Sequence, residues 1–370
     1  MAFPSFRWRL HARLVSIAFL LICLVALNLS FAQEDSTPPV AAVSNSRRSL
    51  WVADDTGISE FAPESLKKTG APQPITVLSG GLGGGVQLDS AGDLWGLFLA
   101  GGPNDSWWVF EMTPSDLRQY RITHNFSPTV SIFDSGSTVS YPQVFKLDPS
   151  GNVWLLGYDN SGGQQIVEYA KNQFGSSVAP QPAVTLKPSG VYPTSIEFDR
   201  SGNLWMSGST NTVNGGVMKL SSDQLTSSGS PTPVLVVANQ ATDDSLPFAL
   251  TFDRQGNLWT LSEIFPTPAT AVFDHMQRIR KKDLSGSGTI TPDPAVTLYL
   301  GNPGIISISD LAFDQNGNLW LDGSLPPSAQ KLTSKQIKKN GTVRPRVVLN
   351  LDGETDDLDT VRSLTFGPRN

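Results

Sequence analysis

The chain has 370 residues, 39% of them hydrophobic and only 16% charged, and its 33 Gly and 27 Pro leave little room for long helices. A formal charge of −6 with no long basic run argues against a nucleic-acid protein. The single Cys excludes an intrachain disulfide and a Cys-rich zinc site, and His11, His124 and His275 are too scattered in sequence to suggest a His-cluster metal centre.

The first segment reads as an export signal. Arg7, Arg9 and Arg13 precede an apolar run from Leu14 to Leu29, and Ser30-Phe31-Ala32 supplies small residues at the −3 and −1 positions of a cleavage site. The run is shorter than the roughly 20 residues a spanning helix needs. Residues 1–32 are therefore expected to be a secretory signal peptide, leaving no membrane association once it is cleaved. The three arginines leave with it, taking the formal charge from −6 to −9. Residues 33–46 are polar, Pro-containing and aperiodic, as in a flexible leader. The expected location is secreted or periplasmic.

From residue 47 onward one phrase recurs: LDSAGDLW (88–95), LDPSGNVW (147–154), FDRSGNLW (198–205), FDRQGNLW (252–259) and FDQNGNLW (313–320). A headless copy, RRSLWVAD, opens the series at 47–54, and a tailless copy, SLTFGPRN, closes it at 363–370. The spacing of Trp51, Trp95, Trp154, Trp205, Trp259 and Trp320 is near 50 residues, which with strand-like content indicates a propeller or solenoid. Ahead of each turn, apolar residues alternate: Val86/Leu88, Phe145/Leu147, Ile196/Phe198, Leu250/Phe252, Leu311/Phe313 and Leu364/Phe366. Period two is a strand. Asp-x-x-Gly fits a type I turn, and Leu-Trp starts the return strand. Third and fourth strands follow in each repeat, as in IVEYA and PAVTL, so each repeat is a four-stranded blade. The final copy supplies the inner strand that the first copy lacks. The predicted fold is all-β, a six-bladed β-propeller over residues 47–370, closed by pairing Ser363–Phe366 with Leu50–Ala53.

The Asp-x-x-Gly-Asn-Leu-Trp phrase resembles the NHL-type propeller repeats. It is also similar to the six-bladed group that includes virginiamycin B lyase and the gluconolactonase-type enzymes. That resemblance implies the fold. Its catalytic residues do not carry over. Gluconolactonase-type enzymes hold a divalent metal with a Glu, two Asn and an Asp at the channel mouth, whereas the inner strands here open with SYPQV, YPTSI, LPFAL and SISDL. The streptogramin lyase needs a His and an acid near magnesium. Here His275 is placed in a long, solvent-facing upper loop and His124 in a lower one.

Each candidate group has a structural explanation beside the functional one. The turn aspartates Asp89, Asp148, Asp199, Asp253 and Asp314 cap their own turns, and the repeat tryptophans pack between blades. Trp107 and Trp108 lie outside the repeat rule, and in a strand they must point to opposite faces. The connections on the upper face collect acids: Asp54, Asp55, Asp159, Glu263 and Asp322 after second strands, and Asp243, Asp244 and the 352–359 cluster before inner strands. These five named acids are the candidate ligand-binding residues, with Ca or Mg as the possible ion and no cofactor otherwise implied. One inner-strand position, Gln87, Lys146, Glu197, Thr251, Ala312 and Thr365, is mostly polar between apolar neighbours. Lys146 and Glu197 share it on adjacent blades, which predicts an ion pair and a structural role for that end of the channel.

These features favour an exported, monomeric binding or interaction module with an acidic upper face. Its partner is left open between a protein, a glycan and a small ligand. The alternative is a metal-dependent hydrolase or lyase acting on a small cyclic substrate.

Overall fold

In the computed structural model, residues 48–100, 106–134, 138–174, 180–239, 245–264, 273–301, 310–324, 327–351 and 361–367 are described. The signal segment 1–32 and the leader 33–46 lie outside them. Among the described residues no helix is long and apolar enough to cross a membrane.

The repeats form six antiparallel sheets. From inside outward, blade 2 is Leu82–Leu88, Leu94–Leu99, Trp107–Met112 and Val130–Asp134. Blade 3 is Ser140–Leu147, Val153–Tyr158, Gln164–Tyr169 and Val184–Leu186. Blade 4 is Val191–Phe198, Leu204–Thr210, Gly216–Leu220 and Leu235–Ala238. Blade 5 is Leu246–Phe252, Leu258–Ile264, Phe273–Ile279 and Val296–Leu300. Blade 6 is Leu311–Phe313, Leu319–Ser324, Pro327–Leu332 and Val347–Asn350. Blade 1 joins the two ends of the propeller sequence: the closing strand Ser363–Phe366 pairs with Leu50–Asp54, in the register Leu50↔Phe366 to Ala53↔Ser363, followed by Gly57–Phe61 and Thr76–Leu78. The inner strands touch one another in the order 1-2-3-4-5-6-1, so the ring is closed.

The turns explain the repeated phrase. Asp148 N–H bonds to the Asn152 carbonyl at 3.0 Å, and Gly151 N–H to the Asp148 carbonyl at 3.0 Å. Gly151 has φ 83°, and the equivalent glycines of blades 2 and 4–6 are also at positive φ. This is a type I turn with a bulge glycine, so the Gly is required by backbone conformation. The Asp Oδ1 caps the loop, for example from Ser150 N–H at 2.7 Å and Asn152 N–H at 3.0 Å. The six repeat tryptophans are all buried and lie in the apolar layers between blades, as expected. Trp107 is buried with its indole N–H on the Val139 carbonyl at 2.9 Å, while Trp108 on the opposite face is partly exposed beside Phe126.

The outer strands of blades 3–6 are covered at their edges by a segment of the next blade, which occupies free backbone groups. Gly288–Ile290 pairs in parallel with Leu235–Val237 of blade 4, and Gly341–Val343 with Leu298–Leu300 of blade 5. Gly229 and Gly70 make single bridges to Leu186 of blade 3 and Leu349 of blade 6. Blade 1 is treated differently. Here helix α1 (Pro114–Thr123), where the other blades carry short 3-10 turns, donates the Tyr120 hydroxyl to the Val77 carbonyl at 2.7 Å. Its Arg121 pairs with buried Glu60.

Candidate functional site

The five upper-face acids are spread over four blades, and Asp54, Asp55, Asp159 and Asp322 each have different partners. Asp54, at the end of a strand in blade 1, is buried, and its Oδ1 accepts the backbone N–H of Thr56 at 2.8 Å and of Gly57 at 3.1 Å, capping its own turn. Asp55 accepts Nε and Nη2 of Arg362 at 3.0 and 2.8 Å. Asp159 in blade 3 pairs with Lys187 and also accepts Ser161 and Gly163 N–H. The lysine, with those turn bonds, holds its carboxyl well below the usual carboxylate range. Glu263 lies in register between Leu246 and Asp274 in blade 5. Asp322 in blade 6 is fully buried and accepts the Asp310 N–H at 2.9 Å. Asp243, Asp244 and the 352–359 cluster lie outside the described residues.

His275 corrects the sequence expectation. It lies within the third strand of blade 5, opposite Tyr299, and is 2% exposed. It is a core residue of that blade, not a loop residue facing solvent. His124 caps the end of α1 in a left-handed conformation with φ 51°.

The centre of the ring is where side chains from distant repeats meet. Lys146 and Glu197, at one position on neighbouring inner strands, pair at 3.2 Å as their shared register predicts. A third member had no sequence signal. Lys146 Nζ also reaches Asp310 Oδ1 at 3.5 Å. Blades 3 and 6 are opposite in a ring of six, so this bridge crosses the channel. Asp310 in turn ties down the closing strand: its Oδ2 accepts the Ser363 hydroxyl at 2.9 Å and the Leu364 N–H at 3.1 Å. Its Oδ1 accepts the Leu311 N–H at 2.9 Å. On the adjacent side, Gln87 Oε1 accepts the Leu147 N–H at 2.7 Å. The side chains of Lys146, Glu197 and Asp310 are 10–16% exposed. Burial alone would lower the lysine's pKa, but the attraction of Asp310 and Glu197 outweighs it and holds the ammonium above its ordinary range. Lys146 thus spans the lumen and, through Glu197 and Asp310, ties four blades into one network.

At the lower rim, the turn aspartates are structural acceptors. In blades 3–6 the Oδ2 of Asp148, Asp199, Asp253 and Asp314 accepts the indole N–H of the repeat tryptophan at 2.9–3.3 Å. It also accepts the amide of the following Asn at 2.7–2.8 Å. Opposite these tryptophans, Lys219, Arg278 and Lys331 lie 5.2–5.7 Å from the ring centroids in blades 4–6. Blades 2 and 3 place Glu111 and Glu168 there instead. Burial, with Asp148 adding repulsion, pushes Glu168 up to about 7. Burial, with Asp93 adding repulsion, also raises Glu111.

No family model and no curated protein matches the sequence. Solved structures do. Virginiamycin B lyase from Staphylococcus aureus is 13% identical, with a TM-score of 0.37 over 69% of this chain and 82% of that one. The PQQ-bound form of aldose sugar dehydrogenase from Streptomyces coelicolor is 13% identical, with a TM-score of 0.40 over 80% of this chain and 95% of that one. A streptogramin B lyase is 11% identical, with a TM-score of 0.35 over 75% of this chain and 96% of that one.

Proposed function

We infer that the chain is an exported propeller that works as a binding module, engaging a basic partner with its upper face. The observation that carries this reading is the Lys146–Asp310 bridge. A propeller that performs metal-assisted chemistry on its axis needs several ligands converging on an open lumen. Here a buried ammonium occupies that place, and its two carboxylates are committed to it and to the closing strand. What is left for a partner is the rim. Arg362 and Lys187 neutralise Asp55 and Asp159, and the sequence over 352–359 adds five acids and no base. Concentrated charge of one sign speeds and orients encounter with a partner of the other sign.

A lysine-rich peptide titrated into the protein tests this. Binding should weaken steeply with salt and fall when Asp352, Glu354, Asp356, Asp357 and Asp359 are replaced together by Asn or Gln. Absence of binding at low ionic strength would overturn the reading. So would magnesium-dependent turnover of a lactone that Glu197→Gln abolishes.

A further inference from the structure

We propose that the lower rim of blade 2 holds a calcium ion between Asp89, Asp93 and Glu111. One carboxylate oxygen from each residue lies within 4.8 Å of the others. Oxygens about 2.4 Å from a common calcium ion are at most about twice that distance apart, so all three fit one coordination sphere.

The internal repeats supply the control that an isolated acidic cluster lacks. Every other complete Asp-x-x-Gly turn is followed by an Asn (Asn152, Asn203, Asn257 or Asn318) that donates its amide to the turn aspartate. Blade 2 keeps the turn, with Asp89 Oδ1 accepting Ala91, Gly92 and Asp93 N–H at 2.8–2.9 Å. It replaces the amide by a second carboxylate, Asp93. In blades 4–6 the third-strand position holds a cation, and in blade 2 it holds Glu111. Relative to blades 4–6, one amide donor and one cation have become acceptors beside Asp89.

Two buried groups of blade 2 make no hydrogen bond among the described residues. Glu111 comes from a different strand, is 8% exposed, and its carboxylate makes no hydrogen bond among the described residues while sharing the oxygen cluster. The Trp95 indole N–H, 1% exposed, is also unbonded, although its equivalents in blades 3–6 all donate to the turn aspartate. A buried, unpaired carboxylate is costly, and a cation that also binds two neighbouring carboxylates removes that cost. Calcium suits flexible carboxylate and water ligation. Magnesium is smaller and demands a tighter octahedron. The cation that acts on both Asp93 and Glu111 is Lys171 of blade 3, an exposed side chain.

Calcium chloride titrated into the purified protein should raise the melting temperature saturably, by about 3–5 °C at about 10 mM, with magnesium giving less. Terbium should bind competitively and luminesce by transfer from Trp95. Asp93→Asn, which restores the sibling turn, and Glu111→Gln should each abolish both responses. Glu168→Gln, at the equivalent position of blade 3, should keep them. Absence of both responses in the parent protein would overturn the proposal, as would their survival in Asp93→Asn and Glu111→Gln. A parent indifferent to calcium but destabilised by Lys171→Met would also overturn it, by showing that the lysine is the countercharge.

Discussion

Replacing Lys146 by Met removes one charge and leaves two. The methionine matches the lysine stem in length, so packing along the inner strand is kept. Glu197 and Asp310 are then left without their shared cation, with side chains only 16% and 10% exposed. At 3.2 and 3.5 Å, and an effective dielectric near 20, each pairing contributes about 5 kcal/mol of attraction before desolvation is subtracted. Net losses on deleting one partner of a buried pair are about 3–5 kcal/mol. For a propeller of this length that corresponds to a fall of about 4–8 °C in melting temperature. The assay is thermal unfolding of the parent, Lys146→Met, and the triple variant Lys146→Met/Glu197→Gln/Asp310→Asn. The triple variant should recover much of the loss, because no buried charge is left unpaired. Equal stability of the parent and Lys146→Met would refute the network. So would a triple variant with the full additive cost of its parts, because coupled partners do not add. The effect should be constant between pH 6 and 9: a lysine raised above its ordinary value of 10.5 keeps its contribution below that pH and loses it only as pH rises through the folded value.

Three further outcomes follow from the same geometry. Deleting residues 361–370 strips the closing strand from Leu50–Ala53 and frees Asp310 Oδ2, so the product should aggregate or lose its cooperative melting transition; a monomeric, normally melting truncation would contradict ring closure. Glu168→Gln should raise stability by about 1 kcal/mol at pH 8 and change little at pH 4. A carboxyl raised to about 7 in the folded state is favourable when protonated, and its contribution is lost as pH rises from the ordinary value of 4.5 through 7, which urea unfolding at the two pH values would detect. Gly83→Ala should destabilise by about 1–3 kcal/mol, because a Cβ there would lie 2.1 Å from the Gly57 carbonyl oxygen in the turn of blade 1; an unchanged denaturation midpoint would contradict that close approach of the two blades.

What could be read from residues alone was local or periodic. Asp-x-x-Gly and the following Trp define a turn and a core position within eight residues, so blade number and closure were legible from spacing. The Lys146–Glu197 pair was legible because neighbouring repeats place equal positions side by side. Asp310 was not: its contact with Lys146 spans the ring, and sequence offset says nothing about what meets across an axis. The partners of the upper acids were hidden for the same reason, since Arg362 reaches Asp55 from 307 residues away. His275 was misplaced because the polar opening of Phe273–Ile279 looks like loop until its pairing with Leu258–Ile264 is seen. Helix α1 did leave a signal. Thr113, Pro114 and Asp116 form a capping box with Pro at the first turn, and Asp116 Oδ2 accepts the Thr113 N–H at 2.8 Å. The acidic trio of blade 2 was visible only as the exchange of Asn for Asp93. Its meaning depended on Glu111 lying one strand away.

The claim on which the functional account rests is that the axis is closed by a lysine and offers no seat for a catalytic metal. Anomalous diffraction from crystals soaked in manganese measures this directly. The account predicts no anomalous peak within the ring of Gln87, Lys146, Glu197 and Asp310, with Lys146 in place between its two carboxylates. A metal on the axis, bound by Glu197 and Asp310 with Lys146 swung aside, would contradict it and restore the enzyme reading.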